Sequence, residues 1–162
     1  MKTNLTFRLG ILLTLFVWAC APHSGFEGDA NWVYVTRVVD GDTFVARDAD
    51  GNEIRVRLIG IDAPESRRTR NTEVEFFAGE STAFLEFLIE GQHVNLQYDA
   101  EKYDRFDRIL AYVFLDDGTF VNAELVGGGY AQVATFPPNV KHANKFLSLQ
   151  RQARRENRGL WQ

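Results

Sequence analysis

The stretch 42-DTFVARDADGNEIRVRLIGIDAPE-65 reads as two extended segments around a turn. "DTFVAR" (42–47) and "EIRVRLIGI" (53–61) are rich in branched and aliphatic residues, and Asp50-Gly51 between them is a strong hairpin signal. Strict alternation along the second segment puts Arg57 on one side with Ile59 and Ile61, and Ile54, Val56 and Leu58 on the other. An arginine on an apolar side needs a partner for its charge. Glu65 or a phosphate group would suit its guanidinium fork. In an antiparallel pair, residues equidistant from the turn face each other. Asp42 and Asp62 each lie ten residues from Asn52, so they are expected to meet at the open end of the hairpin. Facing carboxylates repel unless a cation or proton sits between them. Oxygen ligands with no nearby His or Cys favour a hard ion, Ca²⁺ or Mg²⁺. In the alternative, one aspartate caps a turn and the other is solvated.

Outward from this hairpin, "WVYVTRVV" (32–39) alternates as a strand, and "HVNLQY" (93–98) and "ILAYVFL" (109–115) read as two more. Between Glu73 and Glu90, Phe77, Phe84, Leu85 and Leu88 recur at helical spacing until Gly91. A short helix is expected after Asn122, carrying Leu125 and Val126 inward. A last helix follows Pro137-Pro138, with His142, Phe146, Leu149 and Ala153 on one face, ending near Gly159. Five short strands with late helices and no βαβ alternation predict an α+β fold, a five-stranded OB-type antiparallel barrel with about three helices.

The first 19 residues carry no acidic group and run from Lys2 and Arg8 into "LGILLTLFVWA", an apolar run of 11 residues. That is too short to span a bilayer as a helix and fits a secretory signal. Cys20, the single cysteine, follows directly in "VWAC", so no internal disulfide explains it. The tetrapeptide resembles the lipobox of bacterial lipoproteins, with Trp18 a bulky departure. Residues 1–19 are thus expected to be removed, Cys20 to carry acyl chains that hold the protein on the cell envelope, and residues 20–30 to act as a tether. Residues 31–162 form the single domain. Ala21 after the cysteine weakly favours the outer membrane in a cell that has one, or the cell surface; in the alternative, plain signal cleavage with a chance cysteine nearby leaves a periplasmic or secreted protein. Loss of Lys2 and Arg8 takes the net charge from −4 to −6, which excludes simple electrostatic binding of polyanions.

Three further features bear on chemistry. Glu65 lies three residues beyond Asp62, across a proline, within reach of a water beside such an ion; taken alone, a solvated loop glutamate is the commoner role. Arg105 and Arg108 flank Phe106 before a strand, joining guanidinium forks to an aromatic face, as phosphate contact with base stacking requires; a mobile charged loop is the plainer reading. "RRTR" (67–70) offsets nearby carboxylates for an incoming phosphate, and Arg151, Arg154, Arg155 and Arg158 recur at helical spacing, on a face that solvent alone would explain.

Taken together, "VVDGDTF…IRVRLIGIDAPE…DRFDRILAYVFL…NAELVGGGYAQV…LW" resembles the thermonuclease (staphylococcal-nuclease-like) family over roughly residues 32–161. The resemblance implies an OB-type barrel and Ca²⁺-dependent cleavage of DNA and RNA, leaving 3′-phosphates. It assigns Asp42, Asp62 and the backbone carbonyl of Ala63 to the calcium ion, with Asp40 behind them. It assigns Glu65 to the attacking water, and Arg57 and Arg108 to the phosphate. Arg105 and Phe106 become substrate contacts. Asp107 stands where the best-known member has glycine, and Phe106 where it has tyrosine. "TFPPN" (135–139) replaces a segment with two nucleotide-holding tyrosines, leaving Phe136 as the ring that can stack. Two other readings remain: an OB-type module that binds single strands or a protein without cutting, and a phosphodiesterase for another substrate. A pure binder has no use for a complete set of acid, metal and arginine residues.

Cys20→Ser should leave an unprocessed precursor and abolish incorporation of a fatty-acid analogue. Absence of label in the wild-type protein would remove the lipid anchor.

Overall fold

A computed structural model describes residues 31–66 and 75–162. Strands β1 (Trp32–Asp40), β2 (Thr43–Arg47), β3 (Glu53–Leu58) and β4 (Ile61–Asp62) precede helix α1 (Ala78–Ile89). Strands β5 (His93–Gln97) and β6 (Ile109–Phe114), helix α2 (Val121–Gly128), strand β7 (Gln132–Val133) and helix α3 (Ala143–Arg155) follow, and a 3-10 turn spans Gly159–Trp161. Five strands close into a barrel in the order β1-β2-β3-β6-β5, while β4 and β7 form a separate ribbon. The five-stranded barrel with three helices is the expected OB-type α+β architecture. It is not wholly antiparallel, because β3 and β6 close it in parallel.

The hairpin register differs from the sequence expectation. Thr43 faces Arg57 and Arg47 faces Glu53, which centres the turn on Asp50. The Asp48 carboxylate sets that centre by accepting the backbone N–H groups of Asp50 (3.0 Å) and Asn52 (2.8 Å), a local competitor that pins turns at aspartate. Asp42 therefore lies against Leu58, whose N–H donates to the Asp42 carbonyl at 2.9 Å. β3 also stops at Leu58 rather than running to Ile61. Gly60 turns the chain at φ +79°, and a Cβ there would lie 2.7 Å from the Phe146 ring. Both the conformation and the close approach of α3 call for glycine. Ile59 and Ile61 are buried by this turn, so their shared burial does not come from strand alternation.

Asn122 fastens the turn from behind. It lies within α2, fully buried, where its Nδ2 donates to the Ile59 carbonyl and its Oδ1 accepts from the Val113 N–H, both at 2.9 Å. A buried amide is tolerated when its groups are paired. α1 buries Ala78, Ser81, Leu85 and Ile89, the three- and four-residue spacing of one helical face. The helix ends at Ile89, two residues before Gly91, which turns the chain at φ +74°. α3 sends Phe146 and Ala153 into the core. The arginines along it do not form one free stripe. Arg154 lies over the Trp161 ring at 4.2 Å, and Arg158 pairs with Glu156 and donates to the Gly127 carbonyl.

His142, at the start of α3, stands edge-on to Tyr112 (4.5 Å) and Phe120 (4.9 Å). Burial, then Lys141 and Lys145, hold its pKa below the ordinary 6.5, against a smaller opposing pull from Asp99. The folded state thus favours the neutral ring, and protonation favours the unfolded chain. Stability from this group is complete above pH 6.5 and declines as the pH falls below it. Thermal melts should show a smaller loss between pH 7.5 and 5.5 for His142→Phe than for wild type.

Candidate active site

Where β2 and β3 pair, the Thr43–Arg57 register carries Arg57 beside Asp42, and the turn at Gly60 returns Asp62 to the same place. Arg57 Nη2 lies 2.9 Å from Asp42 Oδ2 and 3.0 Å from Asp62 Oδ1. Its Nη1 donates to the carbonyls of Leu58 (2.9 Å) and Ile61 (2.8 Å). Both terminal nitrogens are committed to the protein, and the side chain is 14% exposed. Arg57 is therefore partnered by two aspartates, not by Glu65. Asp42 and Asp62 do converge as expected, yet through the guanidinium between them rather than across a ladder.

Asp42 is 6% exposed. Its Oδ2 accepts the Ala63 N–H at 2.9 Å and its Oδ1 accepts the Thr43 hydroxyl at 3.0 Å. Burial pushes its carboxyl up to about 7 against the pull of Arg57, with Asp40 adding to the rise. Asp40 Oδ1 accepts the Asp42 N–H at 3.3 Å, which places it directly behind. Gly41 between them is required by crowding, since a Cβ there would meet the Ala63 Cβ at 2.7 Å and the Ser81 Cβ at 2.9 Å. That contact explains the glycine of "DGDT" as a packing position. Ala63 presents its N–H to the cluster. Glu65 follows buried Pro64 and is itself exposed. Its backbone is anchored by the Glu75 carboxylate and N–H at 3.1 and 3.0 Å.

The 104–108 segment is an ordered loop, because Asp104 organises it. The Asp104 Oδ1 accepts the N–H groups of Phe106 and Arg108, both at 2.9 Å, and Oδ2 accepts Arg108 Nε at 2.7 Å. Burial alone would raise this carboxyl; those N–H groups and the guanidinium hold it below its ordinary value. Asp107 adopts φ +61°, a left-handed conformation that glycine takes freely and aspartate tolerates. Its standing in a glycine position is thus a backbone matter. Arg105 and Arg108 lie over the Phe106 ring at 4.7 and 5.5 Å. Apart from Asp104, no acceptor among the described residues bonds the Arg108 guanidinium.

One cleft of about 390 Å³ collects Arg57, Arg105, Phe106, Arg108, Phe136 and Asn139. Asn139 closes its far side, trading hydrogen bonds with the Glu101 backbone at 2.8 and 3.0 Å. Phe136 is 73% exposed there, and Thr135 does not line the cleft. The profile of the staphylococcal nuclease homologue family matches residues 55–162, in the same chain segments that build this cleft. The chain belongs to that family. It is 38% identical over 128 residues to the thermonuclease of Staphylococcus intermedius, covering 79% of this chain and 74% of that one. The thermonuclease of Staphylococcus hyicus is 36% identical over 127 residues (78% and 73%). An uncharacterized endonuclease of Escherichia coli is 33% identical over 157 residues (93% and 86%).

Among family-type positions, the structure brings together Asp40, Asp42, Arg57, Asp62 and Ala63, and sets Arg105, Phe106 and Arg108 across the cleft from them. Cys20 and the 67–70 arginines lie outside the described residues. Sequence reasoning missed Thr43, Asp104 and Asn139. The four-residue step from Asp104 to Arg108 is a turn signal that could have revealed one of them.

Arg57→Met should leave Asp42 buried without its cation and cost about 3–5 kcal/mol, measured by urea unfolding in chelator. Adding Asp42→Asn to that variant should recover most of the loss, which separates charge compensation from packing.

Proposed function

We propose that this protein is a calcium-dependent nuclease that hydrolyses phosphodiester bonds of DNA, RNA or both with low sequence specificity. It would act outside the cytoplasm, held to the envelope by lipid on Cys20. The observation that carries the reading is the convergence of Asp42, Asp62 and Arg57 at one end of a cleft whose other wall is Arg108 and Phe106. A binding module has no need of a buried carboxylate and a half-exposed one held against the same guanidinium.

Calcium fits the residues present. The donors are all oxygen, and two carboxylates already converge on one positively charged atom. Burial leaves the Asp42 charge undercompensated, so more positive charge is favourable there. Asp42, Asp62 and the Ala63 carbonyl would hold the ion, with Asp40 supporting Asp42. Among the described residues no group of three or more His, Cys, Asp or Glu is placed to hold a metal ion, so water would have to supply the remaining ligands. When bound, calcium supplies electrostatic stabilisation of charge developing on the phosphoryl oxygens.

The chain's own groups do the rest. Glu65, exposed on an anchored backbone, accepts the proton of the attacking water. Attack forms one P–O bond as the bond to the leaving oxygen breaks, negative charge builds on the remaining oxygens, and the leaving oxygen takes up a proton from solvent to become a hydroxyl. Arg108, fixed through Nε, offers its terminal nitrogens to that charge. Arg57 lends a rigid positive charge and fixes both aspartates. Phe106 and Phe136 give a base sequence-tolerant ring faces.

Plasmid DNA and RNA should be degraded with calcium and spared with chelator. Arg108→Ala should lower kcat by roughly a hundredfold, the range for loss of one such donor. Calcium should raise the Tm of wild type but not of Asp62→Asn; equal stabilisation in both would remove calcium from this site.

A further inference from the structure

A second recess adjoins the active-site cluster and shares no residue with the cleft. It has a volume of about 260 Å³ and is lined by Asp62, Pro64, Phe76, Gln132 and Trp161 among others. The β4–β7 ribbon separates the two spaces. Ile61 and Ala134 line the cleft, whereas Asp62 and Gln132, which face each other in the ribbon, line the recess. Neighbouring residues of a strand point to opposite faces, so Asp62 stands at the boundary between the two.

Phe76 is 70% exposed at the recess. Its ring is braced from behind by Phe77 at 5.8 Å, which packs on Tyr130 at 5.6 Å, which stacks on Phe84 at 3.9 Å. Phe77 adopts φ +67°, a conformation a bulky residue takes only when its surroundings enforce it. The opposite wall is Trp161, fixed by the Arg154 guanidinium over its ring. The Gln132 amide reaches Asp62 Oδ2 only at 3.4 Å, leaving it able to meet another polar edge.

We propose that this recess is a nucleoside subsite on the far side of the scissile phosphate from the cleft, with Phe76 stacking the base and Gln132 meeting its polar edge. The proposal rests on the nuclease reading and deepens it. A strand whose phosphate is held by Arg108, beside the Arg57–Asp62 pair, must continue in both directions. One direction follows the cleft toward Phe106, and the other passes Asp62 into the recess. A ring face accepts any base, so this subsite adds affinity without sequence preference.

The test compares a dinucleotide with the methyl phosphodiesters that keep one or the other of its nucleosides. In parallel, a fluorescein-labelled single-stranded oligonucleotide is titrated in chelator, where binding is read without cleavage. Wild type should prefer the dinucleotide over the methyl diester lacking the recess nucleoside. Phe76→Ala should shrink that kcat/KM preference about fivefold or more, mainly through KM, the lower range of what one stacked base contributes. Gln132→Ala should shrink it less, and Phe76→Trp should preserve it. Oligonucleotide binding in chelator should weaken in the same order. A preference and a binding curve identical to wild type in Phe76→Ala would overturn the subsite. Should wild type cut no substrate, the nuclease reading fails by itself, and the titration alone decides the recess: weaker binding by Phe76→Ala upholds a base site, and unchanged binding ends it.

Discussion

The Arg57 guanidinium, clasped by Asp42 and Asp62, is the interaction around which the rest of the site is arranged. Asp42 is buried in the turn between β1 and β2, where an unpaired carboxylate is costly. Arg57 offsets that cost, and in doing so draws Asp62 and the 58–61 turn to one point. The turn is in turn fixed by Asn122 from α2 and by Phe146 of α3 against Gly60. The 58–61 turn and the site geometry thus meet at one charge-neutralising contact, with α2 and α3 packed behind it.

That arrangement bears on how charge is shared between folding and chemistry. The same two carboxylates that satisfy Arg57 are those best suited to a hard cation, so a cation bound there would share one pair of donors with the guanidinium. Arg108 is held differently. Asp104 engages its Nε and leaves the terminal nitrogens directed to no other acceptor among the described residues. The two arginines divide the work, one chiefly fixing the carboxylates and the other available to a phosphate. An overall acidic chain can approach a polyanion only through such local positive groups.

Aromatic residues mark the path a strand would take. Phe106 and Phe136 are exposed in the cleft, and Phe76 is exposed beyond Asp62. Each is held by covalent neighbours or ring contacts rather than by burial of its own face. The Phe76–Phe77–Tyr130–Phe84 series carries that support across α1 and the start of β7, which ties the recess to the packing of the helical layer.

By itself the sequence determined the hairpin, the inward Phe146 and Ala153 of the last helix and the residue types of the candidate site, since periodicity and turn chemistry are local. It did not determine the face of α1, which buries Ala78, Ser81 and Ile89 with Leu85 rather than Phe77, Phe84 and Leu88. "DGDT", "RLIGIDAPE" and the segment around Arg108 marked Asp42, Arg57, Asp62 and Arg108 as candidates. It did not determine the register, because Asp48 competes for the turn's N–H groups and moves the centre to Asp50. Nor did it determine the partner of Arg57. That choice required the left-handed turn at Gly60 to bring Asp62 back beneath β3. The parallel β3–β6 closure and the recess at Phe76 were likewise decided only in three dimensions. They bring together residues far apart in the chain, and contacts between distant segments leave no periodic trace in the sequence.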